Sequence, residues 1–116
     1  MEASVEQRDG VVTVHIAGSV DGTTADSLQQ VFARELEAGH HQLIADFSAV
    51  DYTSSAGLRV LLGTVKRARS GGGGGDLRLA GPNPDVRKVL DLSGFTSILK
   101  VFETVDDAVA SFGRPG

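Results

Sequence analysis

The chain has 116 residues, 41% of them hydrophobic, no cysteine and a formal charge of -4 at pH 7. That length suits one domain over residues 1–116 with a single core, and the missing cysteines exclude disulfides and thiolate metal sites. The acidic balance argues against a nucleic-acid ligand, whose binding draws on clustered Lys and Arg, and no apolar run approaches a membrane span.

The start, MEASVEQRDG, has neither a basic beginning nor an apolar signal core, so a cytoplasmic location is expected. In chain order, Ser4 to Gln7 and Val11 to Ala17 read as two strands joined at Asp9-Gly10, a hairpin signal. In the second strand Val12, Val14 and Ile16 share one face, while Thr13, His15 and Ala17 share the other, which can face solvent or a partner. After Asp21-Gly22, Thr23 or Thr24 can cap a helix whose Leu28, Val31, Phe32 and Leu36 form an apolar stripe ending near Gly39. A third strand is expected over Gln42 to Phe47. The polar turn beyond it carries Thr53, Ser54 and Ser55, and Leu58, Leu61, Leu62 and Val65 recur at helical spacing, which predicts a helix from Ser55 to about Ser70.

Asp76 to Ala80 reads as a strand, Pro82 to Leu92 as a turn and helix, and Ile98 to Phe102 as a strand. Thr104 to Phe112 reads as a last helix with Thr104 as its cap. Strands alternating with helices after an initial hairpin imply an α/β domain with a mostly parallel sheet, because right-handed crossovers lay each helix against the sheet.

Several local patterns invite chemistry and do not sustain it. Gly71 to Gly75 follows a helix and leads into a strand, whereas a phosphate-binding loop needs Gly-Lys-Ser/Thr opening a helix, so the run reads as a flexible connection. His15, His40 and His41 stand without cysteines or a spaced carboxylate cluster, and no metal site is expected. Ser54 and Ser55 lie in Ser-Ser-Ala-Gly and not in Gly-x-Ser-x-Gly, with no histidine placed as their base. Asp21, Asp46 and Asp51 read as capping and turn residues at strand ends, so neither catalysis nor a cofactor is expected.

The run from Asp46 to Leu62, DFSAVDYTSSAGLRVLL, places three hydroxyls at a helix N-terminus, where a side-chain oxygen can cap backbone N–H groups and the helix dipole favours an anion. Asp46-Phe47-Ser48, Val50-Asp51-Tyr52 and Ser55-Ala56-Gly57-Leu58 in order resemble the pattern of the STAS domain family, in particular the bacterial anti-sigma factor antagonists. Two further stretches resemble that family's signatures: Gly18-Ser19-Val20-Asp21 at the end of the second strand, and Val86 to Phe95, VRKVLDLSGF.

The resemblance implies a STAS fold, with the mostly parallel sheet begun by an antiparallel hairpin and the helices packed largely on one face. It implies that Ser55 is phosphorylated by a cognate serine kinase of the histidine-kinase-like ATPase type, which is also the anti-sigma factor. A PP2C-type phosphatase would reverse the modification. The unmodified protein would dock on the kinase through Asp21, Thr53, Ser54, Ser55, Ala56 and Gly57 and release a sigma factor, acting as substrate and not as enzyme. Members of this class often carry Asp just before the acceptor; this chain has Ser54 there, which makes Ser54 the next candidate. A STAS scaffold or accessory subunit of a transporter or signalling assembly is the second reading, and a small-molecule binding module the third.

Overall fold

Apolar residues at alternate positions bury one face of Val11–Val20 (β2), and the preceding Glu2–Arg8 (β1) pairs with it antiparallel, Arg8 opposite Val11 and Ser4 opposite His15. The computed structural model describes residues 1–113. After β2 come Ala25–Glu37 (α1), Gln42–Thr53 (β3), Ser55–Ser70 (α2), Asp76–Ala80 (β4), Pro84–Leu92 (α3), a 3-10 turn at Phe95–Ser97, Val101–Phe102 (β5) and Val105–Phe112 (α4). The five strands lie in the order β1-β2-β3-β4-β5, and every pair after the first is parallel. This is the α/β fold with an antiparallel opening hairpin that the sequence implies.

The two sheet faces carry different cores. On one, Val12, Val14 and Ile16 of β2 and Leu43, Ala45 and Phe47 of β3 pack against Leu28 and Phe32 of α1, Leu61 and Val65 of α2 and Leu90 of α3. On the other, Val11, Ile44 and Ala80 pack against Ala108 and Val109 of α4, with Phe102 of β5 beside them. Neighbouring residues such as Leu43 and Ile44 thus serve opposite cores, the period-2 rule of a strand covered on both sides.

Caps fix three of the helices. Ser54 accepts from Ala56 N–H, Asn83 from Val86 N–H at 2.7 Å and Thr104 from Asp107 N–H at 3.1 Å. Asn83 also donates to the Val50 carbonyl at 3.1 Å and so holds α3 against β3. Thr24 is the exception: it occupies the N-cap position of α1 with no side-chain cap bond, because its hydroxyl accepts from Asp21 N–H at 2.9 Å instead. Asp76, 5% exposed, is flanked by Arg69 at 2.8 Å and Arg78 at 3.0 Å, and Arg78 also reaches Ser111 of α4 and lies over the Phe112 ring. A buried carboxylate with two guanidinium partners is compensated, and the cluster links α2, β4 and α4.

Four strands differ in their bounds from the sequence reading, the first of them β1, which runs over Glu2–Arg8 and not only Ser4 to Gln7. β2 continues past Ala17 to Val20, and β3 continues past Phe47 to Thr53. The extension of β3 contains two bulges. His15 pairs with Asp46 and Ala17 with Ala49, so Phe47 and Ser48 face the single residue Ile16; then consecutive Gly18 and Ser19 pair with Val50 and Tyr52, leaving Asp51 extra. The last strand is only Val101–Phe102, because residues 95–97 form the 3-10 turn. The glycine run is a turn of specific shape: Gly72, Gly73 and Gly74 all have positive φ, and Gly75 donates to the Gly72 carbonyl at 3.1 Å.

Candidate functional site

The bulged end of β3 delivers the hydroxyl-bearing turn to the edge where β2 also ends. Val20 pairs with Thr53, and the Ser54 N–H donates to the Val20 carbonyl at 2.8 Å. α2 starts immediately afterwards. Ser54 is its N-cap, in extended conformation, with its hydroxyl oxygen accepting from Ala56 N–H at 3.2 Å and its carbonyl accepting from Leu58 N–H at 3.1 Å. Ser55 is the first helical residue, exposed, and takes no part in the capping.

The remaining candidates divide by depth. Thr53 is 3% exposed and Gly57 is buried beneath the first turn. A Cβ on Gly57 would overlap Thr53 Oγ1 and lie 2.8 Å from Val20 Cγ1, so the missing side chain lets α2 approach the ends of β2 and β3. Its close approach is internal to the fold. Ala56 is half-buried, and Asp21 is partly exposed one residue beyond the Val20–Ser54 bond. The register therefore brings Asp21 and the serine turn to the same edge, while Thr53 and Gly57 shape that edge from below.

Asp21 is locally engaged. Its carboxylate accepts from the Thr23 hydroxyl at 2.7 Å and the Thr23 N–H at 2.9 Å. Those bonds hold its carboxyl below the ordinary carboxylate range, the Thr23 hydroxyl contributing most. The aspartate stays ionised beside the turn at any physiological pH.

Two neighbours escaped the sequence reading as surface groups. Tyr52, 54% exposed, projects just before the turn, and Arg59 is exposed one helical turn after Ser55. Arg59 also lines a groove of about 510 Å³ between α1 and α2, together with Gly22, Ala25, Ala56, Gly63 and Arg67. A signal for both was present: an aromatic residue in a polar stretch, and an i, i+4 step from Ser55 on the helix. Among the described residues no group of three or more acidic or histidine side chains is arranged to hold a metal ion, and no helix is long and apolar enough to cross a membrane.

A five-stranded sheet opened by an antiparallel hairpin and otherwise parallel, with α1, α2 and α3 on one face and α4 on the other, defines the class of the STAS fold. The chain belongs to the STAS domain family, whose model matches residues 2–108. It is 34% identical over 112 residues to BtrV of Bordetella bronchiseptica, a protein named as a candidate anti-sigma factor antagonist, covering 97% of this chain and 95% of that one. The crystal structure of an anti-sigma factor antagonist from Mycobacterium paratuberculosis superimposes with a TM-score of 0.89 at 27% identity, covering 97% of this chain and 94% of the other. The Bacillus cell-fate determinant SpoIIAA in its phosphorylated form shares the fold, with a TM-score of 0.73 at 20% identity over 95% of this chain and 98% of that one.

Proposed function

We propose that this protein is an anti-sigma factor antagonist controlled by phosphorylation of Ser55. Unmodified, it docks on a cognate anti-sigma factor that is also a serine kinase of the histidine-kinase-like ATPase type, and a sigma factor is released. Phosphorylation ends the docking, and a PP2C-type phosphatase restores it. The relatives' names support an anti-sigma factor as the partner.

The observation that carries the reading is the division of labour between the two serines. Ser54 is engaged as the cap, while Ser55 is exposed at the first helical position. The first turn of α2 also has no acidic residue, whereas those of α1, α3 and α4 carry Asp26, Asp85 and the pair Asp106 and Asp107. A phosphate on Ser55 meets the positive end of an uncompensated helix dipole, so the fold tolerates it. It adds about -1.5 to -2 charges to a surface that already holds Asp21 and Asp51, which opposes a partner fitted to the neutral turn.

The test is phosphate transfer from the cognate kinase and ATP to wild type, Ser54→Ala and Ser55→Ala, with the modified peptide read by mass spectrometry. Transfer is expected to wild type and Ser54→Ala alone. Equal incorporation into Ser55→Ala removes the assignment.

A further inference from the structure

On the sheet face opposite α1, α2 and α3, three strands each contribute one ionisable side chain to a single contact. We infer that Glu6, His15 and Asp46 form a proton-dependent latch that holds the edge strand β1 to the sheet and fixes the first bulge of β3.

His15 Nδ1 lies 2.6 Å from Asp46 Oδ2, and Nε2 lies 2.8 Å from Glu6 Oε1. An ionised carboxylate offers only acceptors, so both ring nitrogens must donate, and only the imidazolium has two N–H groups. The Asp46 side chain is 12% exposed; its other oxygen accepts from the Ser48 N–H at 3.0 Å and the Ser48 hydroxyl at 2.7 Å. Ser48 belongs to the bulge, so one carboxylate sets the bulge and orients the histidine together. Burial opposes ionisation of Asp46, but the Ser48 N–H, His15 and the Ser48 hydroxyl outweigh it and hold the carboxyl below its ordinary range.

β1 depends on this contact more than the inner strands do. All seven of its residues are exposed, and it lies at the edge of the sheet, where β2 is its only strand neighbour among the described residues. Its Arg8 reaches Asp106 of α4 at 2.8 Å, but those side chains are 48% and 84% exposed, and such surface pairs contribute little. The charges that act on the imidazole are Asp46 from β3 and Glu6 from β1; Glu2 lines the same shallow groove, and α4 directs Asp106 to Arg8.

The bonds to Asp46 and then Glu6 raise the His15 pKa against a smaller effect of burial. A group with a raised folded pKa contributes fully below its unfolded value, about 6.5, and loses that contribution as pH rises through the folded value. The neutral ring keeps one N–H. The more enclosed Asp46 retains it, and the bare Nε2 lone pair then opposes the Glu6 carboxylate. Rising pH therefore releases β1 first.

The test is NMR of the full chain, following the His15 ring through a pH titration together with backbone hydrogen exchange expressed as protection factors. In wild type, His15 should titrate above 6.5, and protection of β1 amides should fall about tenfold across that titration while β4 amides hold theirs. Glu6→Gln, at an exposed position, should lower the His15 pKa and remove the pH response of β1. A His15 pKa at or below the ordinary value overturns the latch, as does β1 protection that is constant through the titration or that responds equally in Glu6→Gln.

Discussion

The amide of Ser54 and the carbonyl of Val20 are joined at 2.8 Å, and this bond ties the cap of α2 to the end of β2. Asp21 and Ser55 are the next residues on the two strand ends, so a fixed negative charge and an exposed hydroxyl leave the sheet at adjacent exits. The bond also separates two neighbouring serines by role: one holds the turn together, and the other is presented.

Stability should distinguish them before any partner is added. Ser54→Ala removes the hydroxyl that accepts from Ala56 N–H and should cost about 1 kcal/mol. Ser55→Ala should change stability by less than about 0.5 kcal/mol. Urea unfolding of both variants checks this, and the reverse order would make Ser55 the structural serine.

A charge at Ser55 should act on binding and not on folding. Ser55→Asp is expected to weaken binding to the anti-sigma partner by about tenfold or more, equivalent to about 1.4 kcal/mol. Its thermal midpoint should stay close to wild type, because an acid at the start of a helix interacts favourably with the dipole. Titration calorimetry and a melt on the same samples provide the two readouts; a collapse of the melt with intact affinity would contradict the mechanism.

Gly57 and Gly63 lie on the same helix and should respond oppositely to alanine. A Cβ at position 57 meets Thr53 and Val20, and Gly57→Ala should destabilise by about 1–3 kcal/mol through overpacking. At position 63 nothing lies within 4 Å, so Gly63→Ala should stabilise by about 0.5–1 kcal/mol through helix propensity. Denaturant midpoints of the two variants decide it.

Acid should erase what Asp46 contributes. Its carboxyl is held below the ordinary aspartate range, so its stabilisation is present above that range and is lost as pH falls through the folded pKa. Wild type should therefore be more stable than Asp46→Asn near neutrality, and the difference should shrink as pH is lowered from about 5 to about 2. Thermal melts across that range check the sign; a gap that widens in acid would contradict it.

The glycine run should matter for folding and not for docking. Alanine at Gly72, Gly73 or Gly74 must adopt positive φ and should cost about 1 kcal/mol or more each. The run begins at the far end of the 16-residue α2, about 22 Å along its axis from Ser55, so partner affinity should not change. Pairing an unfolding curve with a binding isotherm for Gly73→Ala tests both halves.

The order of elements was legible because Val12, Val14 and Ile16 alternate and Leu58, Leu61 and Val65 recur at helical spacing, each pattern matching the face that is buried. The end of β3 was not. Its buried residues there are Phe47, Val50 and Thr53, a period of three that two bulges produce, and period-2 reasoning stops at Phe47. The serine turn was readable from local composition, but which serine caps was not, since either hydroxyl satisfies the local pattern. The contact of His15 with Glu6 and Asp46 joins residues 9 and 31 positions apart. Asp9-Gly10 as a two-residue turn sets Arg8 against Val11 and so Ser4 against His15, which brings Glu6 within diagonal reach. The parallel register that supplies Asp46 has no such local signal.

The two bulges give the serine turn a margin in length. Asp51 is the residue that the second bulge leaves without a partner on β2, so deleting it would close that bulge and still leave Tyr52 opposite Ser19 and Thr53 opposite Val20. Thr53 would stay in the core, the Ser54 amide would keep the Val20 carbonyl, and only the local twist of the strand end would change. The pairing of Val20 with Thr53 thus fixes where the hydroxyls emerge more firmly than the number of residues between Asp46 and Ser55 does. A chain one residue shorter at this bulge can present a hydroxyl at the same point in space.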